Sequence, residues 1–272
     1  MKKLGLIAGN GRFPVLFADA AKEAGFAVTA VAHRGETPDA LDQHVDDVRW
    51  IKVGQLGHLI DHFKSAGVDT VVMAGGIKKT RMFTEYRPDW RAVKVLARVR
   101  HFKDDVLLRA LADELESEGI TVGDAAHYLP SLIAEPGVLT ANPTKEQWED
   151  IRFGVEMVRA IGRIEIGQCV VVKNRTVLAV EAIEGTDEAI RRGGRLANGG
   201  AVVVKMAKPQ QDLRFDIPAV GPTTIASMRE VGAAVLAVEA GKTLMLDKAD
   251  FLAAAREAKI AVVGITGDER HE

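Results

Sequence analysis

The sequence predicts an α/β protein whose first half is a parallel sheet and whose second half is mixed α/β with antiparallel content. Three observations lead there. Apolar runs of strand length alternate with segments of helical spacing between Lys3 and Ala74. Those strand runs are continuously apolar, as strands buried on both faces are. After Pro136 and Pro143 the pattern changes, and two β-branched runs flank Asn174-Arg175 with the spacing of a hairpin.

Each element has its local reason. Residues 3–8 form an apolar strand, and 13–24 carry helical spacing that ends at Gly25. Strands follow at 27–32 and 48–53, then a helix over 56–66 stopped by Gly67, then a strand over 70–74 running into Gly75-Gly76. Helices over 88–102 and 105–118 complete a first domain, residues 1–134. The second domain is 135–272. Asn142 or Thr144 caps a helix that runs to Ile161, and 169–173 with 176–182 make the hairpin. A helix over 186–196 leads into a β-branched strand, 200–206. Beyond an irregular loop, Thr223 or Thr224 opens a helix, with strands at 233–238 and 243–246, a helix at 248–258 and a closing strand at 260–265.

Composition excludes several classes. With 47% apolar and 27% charged residues, the chain reads as an ordinary globular protein. A net charge of −2 argues against nucleic acid, whose phosphates demand a basic excess. The single cysteine, Cys169, excludes an internal disulfide and a thiolate metal cluster; heading an apolar run, it reads as a buried, inert thiol. No run reaches the roughly 18 apolar residues of a membrane span, and the N-terminus has no signal-peptide pattern, so the expected location is cytoplasmic. There is no GxxxxGK[ST], HExxH or GxSxG, and the histidines are scattered, so chemistry should rest on carboxylates and cations.

The densest candidate is 205–224, KMAKPQQDLRFDIPAVGPTT. Pro209, Pro218 and Pro222 each fix φ and remove a backbone donor, which makes this a rigid irregular loop. Asp212 and Asp216 offer hard oxygen ligands for Mg²⁺, while Lys205, Lys208 and Arg214 can neutralise phosphate. Gly221-Pro222-Thr223-Thr224 enters a helix N-terminus. Together these are the parts that phosphoryl chemistry needs. The structural alternative is a salt-bridged loop that locks two elements. Gly9, Asn10 and Gly11 after the first strand form a turn that lets an anion approach backbone N–H groups, although the third glycine of the dinucleotide fingerprint is missing. Gly75, Gly76 and Lys78 end a neighbouring strand and would face the same crevice. Glu181, Glu184 and Asp187 gather at one strand end, where oxygen ligands for a cation would be convenient. Residues 78–103 hold nine Lys/Arg against two acids, an amphipathic basic stretch suited to anionic headgroups.

Five segments in order, GLIAGNGRFP, FKDDVLL, IGQCVVV, EAIEGTDEAIRR and the 205–224 loop, resemble the UDP-2,3-diacylglucosamine pyrophosphatase family of lipid A biosynthesis, the branch unrelated to calcineurin-like phosphoesterases. The resemblance runs from Leu4 to about Ile265. It implies a Rossmann-like N-terminal domain, a distinct C-terminal catalytic domain, and a lipid substrate held between them. It also implies Mg²⁺-dependent hydrolysis of UDP-2,3-diacylglucosamine to UMP and 2,3-diacylglucosamine 1-phosphate, with water attacking the α-phosphorus. On the RFDxPxVG pattern the key aspartate is Asp216, a Mg²⁺ ligand or orienter of the water; Gln211, Asp212 and Arg214 belong to the same motif, and Thr186 and Asp187 to the GTD element. The expected catalytic set is then Asp216, Asp212, Arg214, Lys205 and Lys208. The substrate set is Gly9, Asn10, Gly11, Gly75, Gly76, Lys78, Gln211, Thr186, Thr223 and Thr224, and the metal set Asp216, Asp212 and Asp187. Glu165 departs from the aspartate the pattern suggests. The implied partners are the lipid-linked nucleotide sugar and the inner-membrane surface, with a homodimer left open. The rival readings are a non-catalytic nucleotide-sugar sensor and a nucleotide-dependent oxidoreductase, the latter disfavoured by the incomplete fingerprint.

Overall fold

The computed structural model describes residues 2–77, 88–99 and 104–266. The chain forms two compact units, Met1–Pro130 with Asp212–Asp216, and Ser131–Gln211 with Ile217–Glu272.

The first unit is built on β1 (Lys2–Ala8), α1 (Phe13–Glu23), β2 (Phe26–His33), β3 (Asp47–Ile51), α2 (Leu56–Ala66), β4 (Thr70–Ala74), α3 (Trp90–Arg98), α4 (Asp104–Ser117), β5 (Thr121–Gly123) and α5 (Ala125–Tyr128). Its sheet has five strands, all parallel, in the order β3-β2-β1-β4-β5. Successive strand residues face opposite sides, and both sides are buried. Ile7, Val31, Val71 and Met73 pack with Leu59, Ile60 and Phe63 of α2 and Leu115 of α4. Helix α1 lies against β1, β2 and β4, which is why the strands read as unbroken apolar runs.

The helix expected over 88–102 begins at Trp90, because the Asp89 carboxylate caps it by accepting from Ala92 N–H at 2.9 Å. The same side chain also accepts from Gly57 N–H at 2.6 Å. The helix ends at Arg98, since Val99 is extended at φ −88°, ψ 119°; residues 100–102 lie outside the described ones. Strand β5 is only three residues long, too short to show a period in the sequence.

The second unit comprises β6 (Gly137–Val138), α6 (Lys145–Arg163), β7 (Cys169–Lys173), β8 (Thr176–Val180), α7 (Thr186–Ala197), β9 (Val202–Lys205), β10 (Ala219–Val220), α8 (Pro222–Glu230), β11 (Val235–Glu239), β12 (Leu244–Met245), α9 (Lys248–Glu257) and β13 (Ala261–Ile265). Its main sheet has six strands in the order β6-β13-β11-β9-β7-β8, parallel at β13-β11-β9 and antiparallel at β9-β7-β8. Valines 170, 172, 202 and 204 face Ile151 and Val158 of α6. The opposite side, including Val171, Val203 and Leu236, packs with Ile190, Ile225, Met228 and Phe251 of α7, α8 and α9. A Cβ on Gly154 would come within 2.5 Å of Val204, so α6 needs a glycine where it crosses β9.

Two sequence signals are realised by specific bonds. Thr144, not Asn142, caps α6 through a reciprocal capping box with Gln147. The hairpin turns at Asn174 and Arg175, both left-handed at φ 51° and 55°, as a two-residue type I′ turn requires. The buried Asp150 carboxylate accepts from the N–H of each, at 3.0 and 2.6 Å.

Candidate active site

In the second unit the carboxyl ends of β8, β9 and β11 and the amino end of β7 share one edge of the sheet, because β7 runs antiparallel between β8 and β9. Lys205 closes β9 there and is buried. Its ammonium donates to Thr186 Oγ1 at 3.0 Å and to the Ala219 carbonyl at 2.8 Å. Thr186, the first residue of α7, donates in turn to Glu181 Oε1 at 2.8 Å. Glu181 Oε2 accepts from Gln168 N–H at 3.3 Å. A lysine and a glutamate, both buried, are thus bridged by one hydroxyl, which is how buried charge is tolerated. Gly185 precedes α7 at φ 85°, and Asp187, half-buried in the first turn, faces the helix dipole. Cys169 sits at the same edge, fully buried; burial first and Glu181 second push its thiol up, so it stays protonated.

The segment after β9 is two tight turns. Lys208 and Gln211 clasp each other, Gln211 N–H to Lys208 O at 2.9 Å and Lys208 N–H to Gln211 Oε1 at 2.8 Å. The next five residues, Asp212–Asp216, belong to the first unit. Asp212 O accepts from the N–H of Phe215 and Asp216, at 3.1 and 3.3 Å. Both oxygens of the Asp212 carboxylate face the Arg214 fork, at 3.0 and 2.9 Å. That hydrogen-bonded guanidinium holds Asp212 below the usual carboxylate range and raises Arg214. Arg214 reaches Glu116 of α4 at 3.3 Å, and Phe215 packs on the core around α2 and α4. Asp216 ends the turn exposed. The salt-bridged lock and a solvent-facing carboxylate therefore coexist here, on different aspartates.

At the end of the loop, α8 starts at Pro222. Thr224 is buried and accepts from Gly221 N–H at 3.3 Å, a capping contact, whereas Thr223 is exposed.

In the first unit the two glycine turns meet. Gly9 N–H donates to Ala74 O at 2.8 Å and Asn10 N–H to Gly76 O at 2.7 Å. A Cβ on Gly9 would lie 2.4 Å from Gly76 O, and one on Gly75 (φ 81°) 2.3 Å from Asn10 O. These glycines are required by the contact between the turns, and the N–H groups of Gly9 and Asn10 are engaged there rather than offered to an anion. Gly11 (φ 82°) opens onto space. Lys78 lies outside the described residues.

The sequence reading did not place Glu36, His33 or Glu239 at a site. Glu36 accepts from Asn10 Nδ2 at 3.1 Å. Buried His33 contacts the Ala8 carbonyl through Nδ1 at 2.9 Å, and burial lowers its pKa. Glu239 Oε2 accepts from Ala207 N–H at 3.0 Å. An acid closing a wholly buried strand, as in VLAVE, was the legible signal for the last.

Among the described residues no three His, Cys, Asp or Glu side chains form a metal-holding group. For Mg²⁺, which commonly takes one or two carboxylates plus substrate phosphate oxygens, this turn carries two carboxylates, Asp212, which faces Arg214, and Asp216, which is exposed.

A five-stranded parallel unit joined to a mixed six-stranded one, with charged groups gathered just beyond strand ends, is the build of a two-unit α/β protein. The chain belongs to the LpxI family: residues 3–132 match the LpxI N-terminal domain and 135–263 the LpxI C-terminal domain. A curated relative from Caulobacter vibrioides, named UDP-2,3-diacylglucosamine pyrophosphatase LpxI, is 34% identical over 282 residues, spanning 99% of this chain and 100% of its own. Solved structures are more distant. The biotin carboxylase domain of Hydrogenobacter thermophilus 2-oxoglutarate carboxylase is 18% identical, with 64% of this chain and 35% of that one covered and a TM-score of 0.27. N5-carboxyaminoimidazole ribonucleotide synthetase from Thermotoga maritima is 17% identical, with 68% and 42% covered and a TM-score of 0.25. Scores this low lend that likeness no weight.

Proposed function

We propose that this chain hydrolyses the diphosphate of UDP-2,3-diacylglucosamine, giving UMP and 2,3-diacylglucosamine 1-phosphate. The observation that carries the reading is the full-length match to a relative of that name, over both domains. The reaction adds water across one P–O–P bridge: a water oxygen bonds phosphorus, the bridging bond breaks, and the leaving phosphate keeps the bridging electron pair.

Asp216 is the carboxylate assigned to the reacting region, as a ligand for Mg²⁺ or an orienter of the water. Bound Mg²⁺ would offset the negative charge that builds on the diphosphate oxygens. Asp212 and Arg214 act on Asp216 by holding its turn, and Arg214 supplies a cation beside it. A substrate with two acyl chains resides in a bilayer, and the outer side of α3 suits such a surface. Trp90 is 72% exposed, Val93 is exposed, Lys94 stands 5.7 Å over the Trp90 ring, and Arg98 points outward. No described helix is long and apolar enough to cross a membrane.

The test is UMP release from substrate in detergent micelles, with Mg²⁺ or EDTA, for wild type and Asp216→Ala. The expected outcome is metal-dependent UMP that falls at least about 100-fold in the variant. The variant should still unfold in one cooperative thermal transition, because Asp216 is exposed and leaves no buried cavity. Full turnover by Asp216→Ala would remove that residue from the reaction; no UMP from folded wild type would return the binding-only reading. In H₂¹⁸O, attack at the α-phosphorus labels UMP, whereas label in the sugar phosphate would move attack to the β-phosphorus.

A further inference from the structure

Two connections of the second unit lie side by side at the edge where Lys205 ends β9. One joins α6 to β7 and the other joins β8 to α7. Strands β7 and β8 are antiparallel neighbours, and a Cβ on Gly167 would run into the Glu181 carbonyl. Both connections are tightly made. Helix α6 closes in a Schellman motif, with Glu165 N–H to Gly162 O at 3.1 Å, Ile166 N–H to Ile161 O at 3.0 Å, and Glu165 left-handed at φ 58°. The second connection is a turn closed by Gly185 N–H to Ala182 O at 3.3 Å. Glu184 ties it from within by accepting from Ala182 N–H at 3.1 Å.

These turns hold isoleucines out of the core. Ile164 is 68% exposed, Ile166 47% and Ile183 98%. One exposed apolar side chain is ordinary, but three on adjoining rigid turns make a patch, and such patches mark interaction surfaces. Shape and chemistry choose the partner. Ile183 stands at a turn tip, so the patch is convex, and its aliphatic carbons come without the Trp, Tyr or Met that anchor protein partners. Arg163 and Arg192 stand against Glu165 and Glu184, with Arg192 donating to Glu184 at 2.5 Å, so the charges at these turns balance. Thr186, the residue after the second turn, accepts from Lys205, and the tips therefore border the buried polar network. A convex aliphatic rim beside polar groups fits the boundary between lipid headgroups and acyl chains.

We propose that Ile164, Ile166 and Ile183 dock the second unit on a lipid bilayer by inserting into its acyl layer. This rests on the proposed substrate being a diacyl lipid, and it concerns residues distinct from the face of α3.

Sedimentation of the full chain with phosphatidylglycerol vesicles in about 0.5 M salt tests the docking without turnover, because exposed charges are then screened beyond about 4 Å. Wild type should still bind. Ile164→Asn with Ile183→Asn should weaken that binding at least about tenfold, since each inserted isoleucine contributes about that much. Cys169 is the only cysteine and is buried, so a thiol-reactive fluorophore can be placed at Ile183→Cys alone. On vesicles its emission should shift to the blue and be quenched by brominated acyl chains. The same label at Thr176→Cys, exposed at the opposite end of β8, should stay unchanged. Unchanged binding by the double variant, equal quenching at the two label positions, or no wild-type binding in about 0.5 M salt would overturn the proposal. So would a lipid-free dimer that the double variant dissolves, which would give the isoleucines to a second copy of the chain. Docking through these residues by a chain that releases no UMP would sink the proposed reaction and leave the surface standing. UMP release from micelles with unchanged docking of the double variant would do the reverse.

Discussion

Replacing Lys205 with methionine keeps the length of the buried stem and removes the ammonium. Two hydrogen bonds disappear, to Thr186 Oγ1 and Ala219 O, and the buried Glu181 loses the cation that Thr186 relays to it. Each charged bond contributes about 1.5–3 kcal/mol when its loss strands a buried partner, and breaking a buried charged network costs about 3–5 kcal/mol. Relief of the ammonium's own desolvation offsets part of this, leaving a net loss of about 3 kcal/mol. Cys169 is the only cysteine and is fully buried in the same unit, so thiol labelling in the native state reports the opening of that unit. With labelling slow against reclosing, 3 kcal/mol predicts labelling roughly 100-fold faster than wild type. Adding Glu181→Gln should restore at least about half of the lost free energy, because the stranded charge is removed as well. If Lys205→Met labels less than about threefold faster, the network is not a buried, coupled unit and the reasoning fails.

Two further outcomes are expected. Burial holds His33 below its ordinary pKa, so the native state resists a proton that the unfolded chain accepts near pH 6.5. The first unit is therefore fully stabilised above about pH 6.5 and weakens below it by up to about 1.4 kcal/mol per pH unit. Urea unfolding followed at Trp50, with Trp90 and Trp148 changed to phenylalanine, should show that slope and should show it reduced in His33→Gln; equal slopes would contradict it. On α3, the pair Trp90→Ala and Lys94→Glu should reduce sedimentation with anionic phosphatidylglycerol vesicles by at least about tenfold, and unchanged binding would exclude that face as the membrane surface.

Much of the fold is legible residue by residue. The apolar runs that became β1, β2, β4, β9, β11, β12 and β13 carry their period locally, whereas the two-residue β10 falls inside the segment expected to be an irregular loop; Gly67, Thr144 and Asn174-Arg175 mark stops, caps and turns through their own backbone preferences. The 205–224 loop was visible as a cluster of charges and prolines. What each charge does there was not, because Asp212 and Asp216 are the same residue type, and only the folded turn sets the Asp212 carboxylate against the Arg214 fork.

By itself, the sequence determined the longer elements, the two α/β halves and the segments that mark the family, since each depends on neighbours within a few positions. Tertiary structure alone decided the strand order that sets β4 beside β1 and the grouping of Asp212–Asp216 with the first unit. It also decided that Gly9 and Gly75 are glycines because two turns touch, and that Lys205, Thr186 and Glu181 share one hydrogen-bonded path. Those contacts join residues far apart in the chain. No local preference encodes them; they exist because burying both faces of each sheet brings particular strand ends, and the polar groups they carry, to the same edge.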